Sequence, residues 1–247
     1  EKSTNVSFGI TAQITESFDV SLDAFRIDVD DRVTLSERIT GDALEAFIEQ
    51  RFGVAGVQSA SFFTNAVDTR TRGAELVANW RVPLAGGTLV TTGAYSYADT
   101  KIRKVRPTPR ELTDLGADNV LFGVEERNTL TDAAPRQRAF VSSRWESDDW
   151  SLLGRLTRQG STTRVFNFGG GFEPRQTYAA KWQLDAEVER RLTPSLSLAL
   201  GGYNLTDQYP DRSIPDISYA GNFPYDVISP IGLNGAYYYG RLRYRFD

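Results

Sequence analysis

The chain has 247 residues and a formal net charge of −4, is 12% aromatic and 40% hydrophobic, and contains no Cys, His or Met. These figures exclude a disulfide framework and thiolate metal sites, remove the commonest general base and metal ligand, and, with no basic cluster, argue against nucleic acid as a partner. No run approaches the roughly 18 apolar residues of a membrane helix, but a membrane strand shows lipid only every second residue and is not excluded.

Residues 6–14 place Val6, Phe8, Ile10, Ala12 and Ile14 on one parity and Ser7, Gly9, Thr11 and Gln13 on the other, the period of a two-faced β-strand. A second strand spans 19–35. Its apolar residues change parity between Ala24 and Phe25, which predicts a β-bulge there. Residues 36–60 read as a long loop, in which the helical spacing of Ala43, Leu44, Phe47 and Ile48 allows a helical turn or two within 42–52, followed by Gly53 and Gly56 as breakers. Strands follow at 61–81 and 88–101 around a tight turn at 83–87.

A second long segment, 102–135, holds three prolines. Strands at 136–145 and 150–158 flank a polar turn. In a third long segment, 159–175, the glycines 169–171 lack the strand-to-helix setting of a phosphate cradle and read as a loop tip. Residues 178–191 set Trp182, Leu184, Ala186 and Val188 opposite Gln183, Asp185, Glu187 and Glu189. After a turn at 192–195 and a strand at 196–205, a fourth long segment, 206–234, leads to the last strand. There Tyr238, Gly240, Leu242, Tyr244 and Phe246 oppose Tyr239, Arg241, Arg243 and Arg245.

The nine strands are joined alternately by short and long connections, which predicts an all-β, antiparallel transmembrane β-barrel segment with short periplasmic turns on one rim and long extracellular loops on the other. Trp80, Trp145, Trp150 and Trp182 fall near strand ends, as interfacial aromatics do. Rows such as Glu187 and Glu189, or Arg241 and Arg243, belong in water, because burying unpaired ions costs several kcal/mol each. Asp28, Asp30 and Asp31 lack the glycine and distal glutamate of a calcium loop and read as a polar strand end. A soluble β-rich binding module and an outer-membrane barrel enzyme are the alternatives; without His the second lacks the usual catalytic arrangement.

Four stretches carry a family resemblance: EKS at Glu1 to Ser3, FFTNAVDTRTRGAEL beginning at Phe62, NLTDQYPD beginning at Asn204, and GNFPYDVISPIGLNGAYYYGRLRYRF ending at Phe246. In combination they resemble the C-terminal part of a TonB-dependent outer-membrane receptor. Members usually end on the aromatic, whereas Asp247 follows Phe246 here. The resemblance implies a barrel of about twenty-two strands plugged by an N-terminal domain. Residues 1–247 would be its C-terminal portion, with the plug and about thirteen strands preceding them.

It implies TonB-dependent import, across the bacterial outer membrane, of a scarce small molecule such as an iron–siderophore chelate. The implied partners are outer-membrane lipid, the TonB complex through the N-terminal part, and the barrel-assembly machinery, which would read Tyr238, Leu242, Tyr244 and Phe246. Ligand contacts would come from the loops, where Arg106, Arg127, Arg136, Arg164, Tyr209 and Tyr219 could hold an anionic chelate by charge-assisted hydrogen bonds and stacking. No catalytic residue, cofactor or resident metal is implied.

Overall fold

A computed structural model describes residues 1–116 and 120–246. Its elements in chain order are β1 (Lys2–Thr15), β2 (Phe18–Leu35), β3 (Ile39–Thr40), α1 (Asp42–Phe52), β4 (Ser59–Ala60), β5 (Phe63–Leu84), β6 (Gly87–Val105), α2 (Arg110–Thr113), α3 (Val124–Thr131), β7 (Gln137–Glu146), β8 (Trp150–Gln159), β9 (Thr162–Val165), β10 (Arg175–Tyr178), β11 (Lys181–Thr193), β12 (Leu196–Tyr203) and β13 (Tyr237–Tyr244). Nine of them form one antiparallel sheet in the order β1-β2-β5-β6-β7-β8-β11-β12-β13. These are the nine strands predicted from alternation. The sheet is open: among the described residues, β1 and β13 are its edges. Among the described residues no helix is long and apolar enough to cross a membrane.

All four short connections lie on one rim. Two of them are two-residue turns whose flanking pairs are Thr15↔Phe18 and Thr193↔Leu196. A third closes on Leu84↔Gly87 with Ala85 and Gly86 both at positive φ (49° and 74°), the turn whose twist matches a hairpin. The long connections, residues 36–62, 106–136, 160–180 and 204–236, gather on the other rim.

Register turns the alternation of single strands into two faces of a sheet. Ile10, Leu22, Leu76 and Tyr95 stand side by side across β1, β2, β5 and β6. Leu152, Val188, Leu200 and Gly240 do the same across β8, β11, β12 and β13. A one-residue slip would mix the faces, so the apolar pattern itself fixes the pairing. This face has no protein over it: Phe8, Ile10, Leu22, Leu152, Val188, Leu200 and Leu242 are among the exposed large hydrophobics. A soluble module would bury such a face. Lipid is the solvent that suits it.

The four Trp side chains lie on this same face. Trp80, Trp145 and Trp150 sit near the short-turn rim, and Trp182 near the long-loop rim. The Trp145 indole donates to the Leu84 carbonyl at 2.7 Å, and the Arg190 guanidinium lies 5.0 Å over the Trp150 ring. From Leu89, opposite Trp145, to Tyr97 the face runs eight residues, about 26 Å along the strand at ~3.3 Å each. That fits the outward apolar band of a membrane barrel.

On the opposite face Arg241 Nη2 bonds both Glu187 (2.9 Å) and Glu189 (3.0 Å), and the Tyr239 hydroxyl donates to Glu187 at 2.5 Å. The polar rows predicted for a wet lumen are thus stitched to each other across β11 and β13.

Three expectations need correction. The parity change at Ala24 is not a bulge, because pairing with β1 and β5 runs through it without a shift. Beyond Ala24 the strand leaves the apolar band, and its outer face turns polar with Arg26, Asp28 and Asp30. The irregularity of β2 lies instead between Val29 and Val33, where Asp31 has φ 54°. The second long segment contains α2 and α3 and begins later than expected, since β6 continues to Val105. The third contains the β9–β10 ribbon, with glycines 169–171 at its tip, all at positive φ. Helix α1 fills the whole of 42–52, where a turn or two was expected, and ends on Gly53 in the left-handed region. Asp247 lies outside the described residues.

Candidate ligand-binding rim

Burial concentrates where the long loops meet. Ala66 and Val67 of β5 pack on Leu121 and Phe122 of the second loop, with Ile102, Leu112 and Leu130 around them. Leu44, Val165, Phe166, Tyr178, Ile217 and Ile231 are buried in the loops. The loops interlock through side-chain amides that do the work of backbone. Buried Asn128 of α3 donates to the Thr163 carbonyl (2.9 Å) and accepts from the Val165 N–H (3.1 Å). Gln176 donates to the Arg212 carbonyl (2.7 Å) and accepts from the Ile214 N–H (2.8 Å). Each thereby satisfies backbone groups that burial would otherwise leave unpaired.

One side-chain assembly stands out on this rim. Arg164, on β9, lies with its guanidinium 4.3 Å over the Phe166 ring and 3.6 Å from the Asp226 carboxylate. Its Nε is buried without a hydrogen-bond partner. Phe166 stacks on Phe168 at 5.6 Å and meets Tyr219 edge-on at 5.9 Å. Phe168 stacks on Phe172, and Tyr219 meets Phe223 edge-on.

Five rings thus form one array drawn from the third and fourth loops. Its outer members, Phe168, Phe172, Tyr219 and Phe223, are exposed. Beside it opens a cavity of about 200 Å³ between Arg164, Phe166, Ser213, Tyr219, Tyr225 and Asp226. Tyr219 and Ala220 hold φ of 50° and 58°, a conformation that costs a non-glycine residue about 1 kcal/mol or more and is retained where neighbours enforce it.

A group of carboxylates backs the array. Glu37 is buried, accepts from Asn167 Nδ2 at 3.1 Å, and leaves its Oε2 without a partner. Burial pushes its carboxyl up, and the charges of Glu125 and Glu173 add to this, against the pull of the Asn167 hydrogen bond and of the Gly123 backbone beside it. Glu126 on α3 is raised to about 7 by desolvation and then by Glu37 and Glu125, with Arg164 opposing. Tyr178, a loop aromatic that could have faced a ligand, is instead fully buried and bonded to Ser213 at 3.0 Å; burial pushes its phenol up.

Of the six residues expected to contact a ligand, Arg164 and Tyr219 meet in the array, and Tyr209 stacks at 6.3 Å on Tyr225, which lines the cavity. The others are placed apart. Arg106 pairs with Asp31, Arg136 with Asp99 (3.2 Å) and Asp132 (2.8 Å), and Arg127 lies 5.9 Å over Phe122. The sequence reading passed over Phe166, Phe168, Phe172 and Asp226. Their signal was present in VFNFGGGFEP, where aromatics flank the glycine run on both sides.

A larger cavity, about 490 Å³, is elsewhere. It lies on the polar face near the short turns, between Arg144, Arg155, Glu187, Glu189, Tyr239 and Arg241. Charged walls of both signs suit a wet lumen.

The comparisons agree with this architecture. No curated protein sequence is similar enough to count as a match. Among solved structures, the pyoverdine outer-membrane receptor FpvA from Pseudomonas aeruginosa PAO1 bound to pyoverdine superposes with a TM-score of 0.61 at 12% identity, over 99% of this chain and 30% of that one. The siderophore receptor PirA from Acinetobacter baumannii gives 0.61 at 16%, over 99% and 32%. The copper transporter OprC gives 0.59 at 16%, over 99% and 31%.

The chain therefore spans about a third or less of the length of these proteins, and at such identities the likeness shows the fold alone. The family model described as TonB dependent receptor-like, beta-barrel matches residues 1–205. The chain belongs to this family of Gram-negative outer-membrane receptor barrels.

Proposed function

We propose that residues 1–247 are the C-terminal portion of a TonB-dependent receptor that captures an iron–siderophore-type chelate at its long-loop rim and passes it inward along the polar lumen. The observation that carries this reading is the convergence of Arg164 with the Phe166, Phe168 and Tyr219 rings beside an open cavity. A guanidinium supplies charge-assisted hydrogen bonds to an anionic chelate, and exposed rings stack on its flat arms. The similarity of the fold to a pyoverdine receptor and a siderophore receptor supports the same reading. Similarity to a copper transporter raises a bare copper ion as cargo. This chain offers that ion no Cys, His or Met, the soft and imidazole ligands copper prefers, so a chelate is the better fit here.

In this reading the plug and the TonB-contacting segment belong to the N-terminal part of the same polypeptide. The test is growth of a strain deleted for the full-length gene on single ferric chelates under iron limitation. One chelate should lose support on deletion, regain it with the intact gene, and regain it poorly with Arg164→Ala or Tyr219→Ala. Normal growth of the deletion strain on every chelate would remove iron import as the function.

A further inference from the structure

Above the apolar band, the outward face of β1, β2, β5 and β6 is a charged collar. Arg26 stands opposite Arg72, and Arg72 opposite Asp99; one step further from the band, Asp28 stands opposite Arg70, and Arg70 opposite Lys101. Lys2 faces Asp30, and Arg103 reaches Asp28 and Asp30, both at 3.3 Å. These side chains share the parity of Leu22, Leu76 and Tyr95, so they continue the lipid-facing wall and do not point into the lumen.

Lys2, Arg26, Arg70, Arg72, Lys101, Arg103 and Lys104 stand with Asp28, Asp30, Asp68 and Asp99 on this face, a surplus of three positive charges on a chain whose net charge is −4. The acids are already engaged. Asp28 accepts from Arg26 Nε and Arg70 Nε, each at 2.6 Å, and Asp99 pairs with Arg136. Arg72 and Lys101 are exposed and have no carboxylate partner among the described residues. Like charges directly opposite on neighbouring strands destabilise a sheet, and Arg26 beside Arg72 is such a pair.

We propose that this collar is a docking surface for the phosphate groups of outer-leaflet lipid, held chiefly by Arg72, Lys101 and Arg103. The continuity of the collar with the apolar band fixes the kind of occupant: a molecule whose acyl chains lie against Leu22, Leu76 and Tyr95 carries its headgroup at this height. Rows about 7 Å apart along the strands let one phosphorylated headgroup touch both. Planar guanidinium groups grip phosphate oxygens in pairs, and the anion relieves the Arg26–Arg72 repulsion.

The experiment is native mass spectrometry of the full-length protein in a neutral detergent, titrated with diphosphoryl lipid A or with its dephosphorylated form. The intact protein should retain the diphosphoryl form far more tightly, and Arg72→Ala with Lys101→Ala should weaken that retention about thirtyfold at low salt, at ~1 kcal/mol per cation. Arg51→Ala with Arg110→Ala removes the same charge from the loop helices, away from the collar, and should leave retention unchanged. Equal retention of the two lipids, or a loss shared by both double variants, would overturn the proposal. Displacement of the lipid by millimolar inorganic phosphate would do so too, by assigning the site to a free anion.

Discussion

Arg164 is positioned by packing more than by hydrogen bonds. Its guanidinium rests on Phe166 and its nearest carboxylate oxygen is 3.6 Å away, so donors remain for a ligand. A planar fork is what the stack requires, and Lys would supply the charge without it. Arg164→Lys in the full-length receptor should weaken binding of the transported chelate about tenfold, a loss of ~1.5 kcal/mol for a charged hydrogen bond, while melting is unchanged; isothermal titration with that chelate reads the first and calorimetry the second. The carboxylates behind it make a second residue-scale expectation. Glu126 sits at about 7 in the fold against an ordinary value of 4.5, so between these values the folded state binds more protons. The stability that this protonation contributes is therefore fully present below about pH 4.5 and is lost as pH rises through 7. Hydrogen-exchange protection of residues 124–131 and 162–167 should fall between pH 6 and pH 8. In Glu126→Gln it should stay level, and an undiminished fall in that variant would show that another group is responsible.

At the scale of elements, the strands and α1 were legible because their signal is local: alternation in the one case and the spacing of Ala43, Leu44, Phe47 and Ile48 in the other. Helix α3 was not, because its buried residue is the polar Asn128, whose partners belong to another loop. The β9–β10 ribbon was missed for a similar reason, since its anchors Thr162 and Tyr178 bond to Ile228 and Ser213 of the fourth loop. The rim could be foreseen as a set of arginines and tyrosines, but which of them would meet depended on contacts between loops that no single stretch encodes. The misplaced bulge teaches the same lesson. Phe25 does not mark a slip; its ring lies over Gly73 on the neighbouring strand, where a Cβ would collide with the ring and with the Tyr97 carbonyl. Gly201 leaves room for the Tyr239 ring in the same way. Gly73→Val should destabilise the folded barrel by about 1–3 kcal/mol, the usual cost of overpacking. Pairing it with Phe25→Ala should recover part of that loss in urea titrations of the refolded receptor, and an additive result would separate the two positions.

For the molecule as a whole, the sheet is organised around two solvents, and this inverts the usual logic of a core. The large apolar side chains of the strands are exposed, and the carboxylates and arginines of the opposite face are tied to one another. Stability should therefore depend on which face a charge is placed on more than on how buried its position is. Val188 and Leu153 provide the comparison, since they lie on adjacent strands within one residue of each other in register: Val188 stands opposite Leu152 and Leu200, Leu153 opposite Arg144 and Glu187. Val188→Arg would put a cation into the lipid band, at a cost of about 2–4 kcal/mol near the midplane. Leu153→Arg would put the same cation beside Glu187 on the wet face and should cost little. Folding of the full-length protein into lipid vesicles, followed by the heat-modifiable shift in electrophoresis, should give a sharply reduced folded fraction for Val188→Arg and a near-normal one for Leu153→Arg. The reverse order would mean that the apolar face is the one turned towards the lumen, and the arrangement of the wall, collar and rim described above would be inside out.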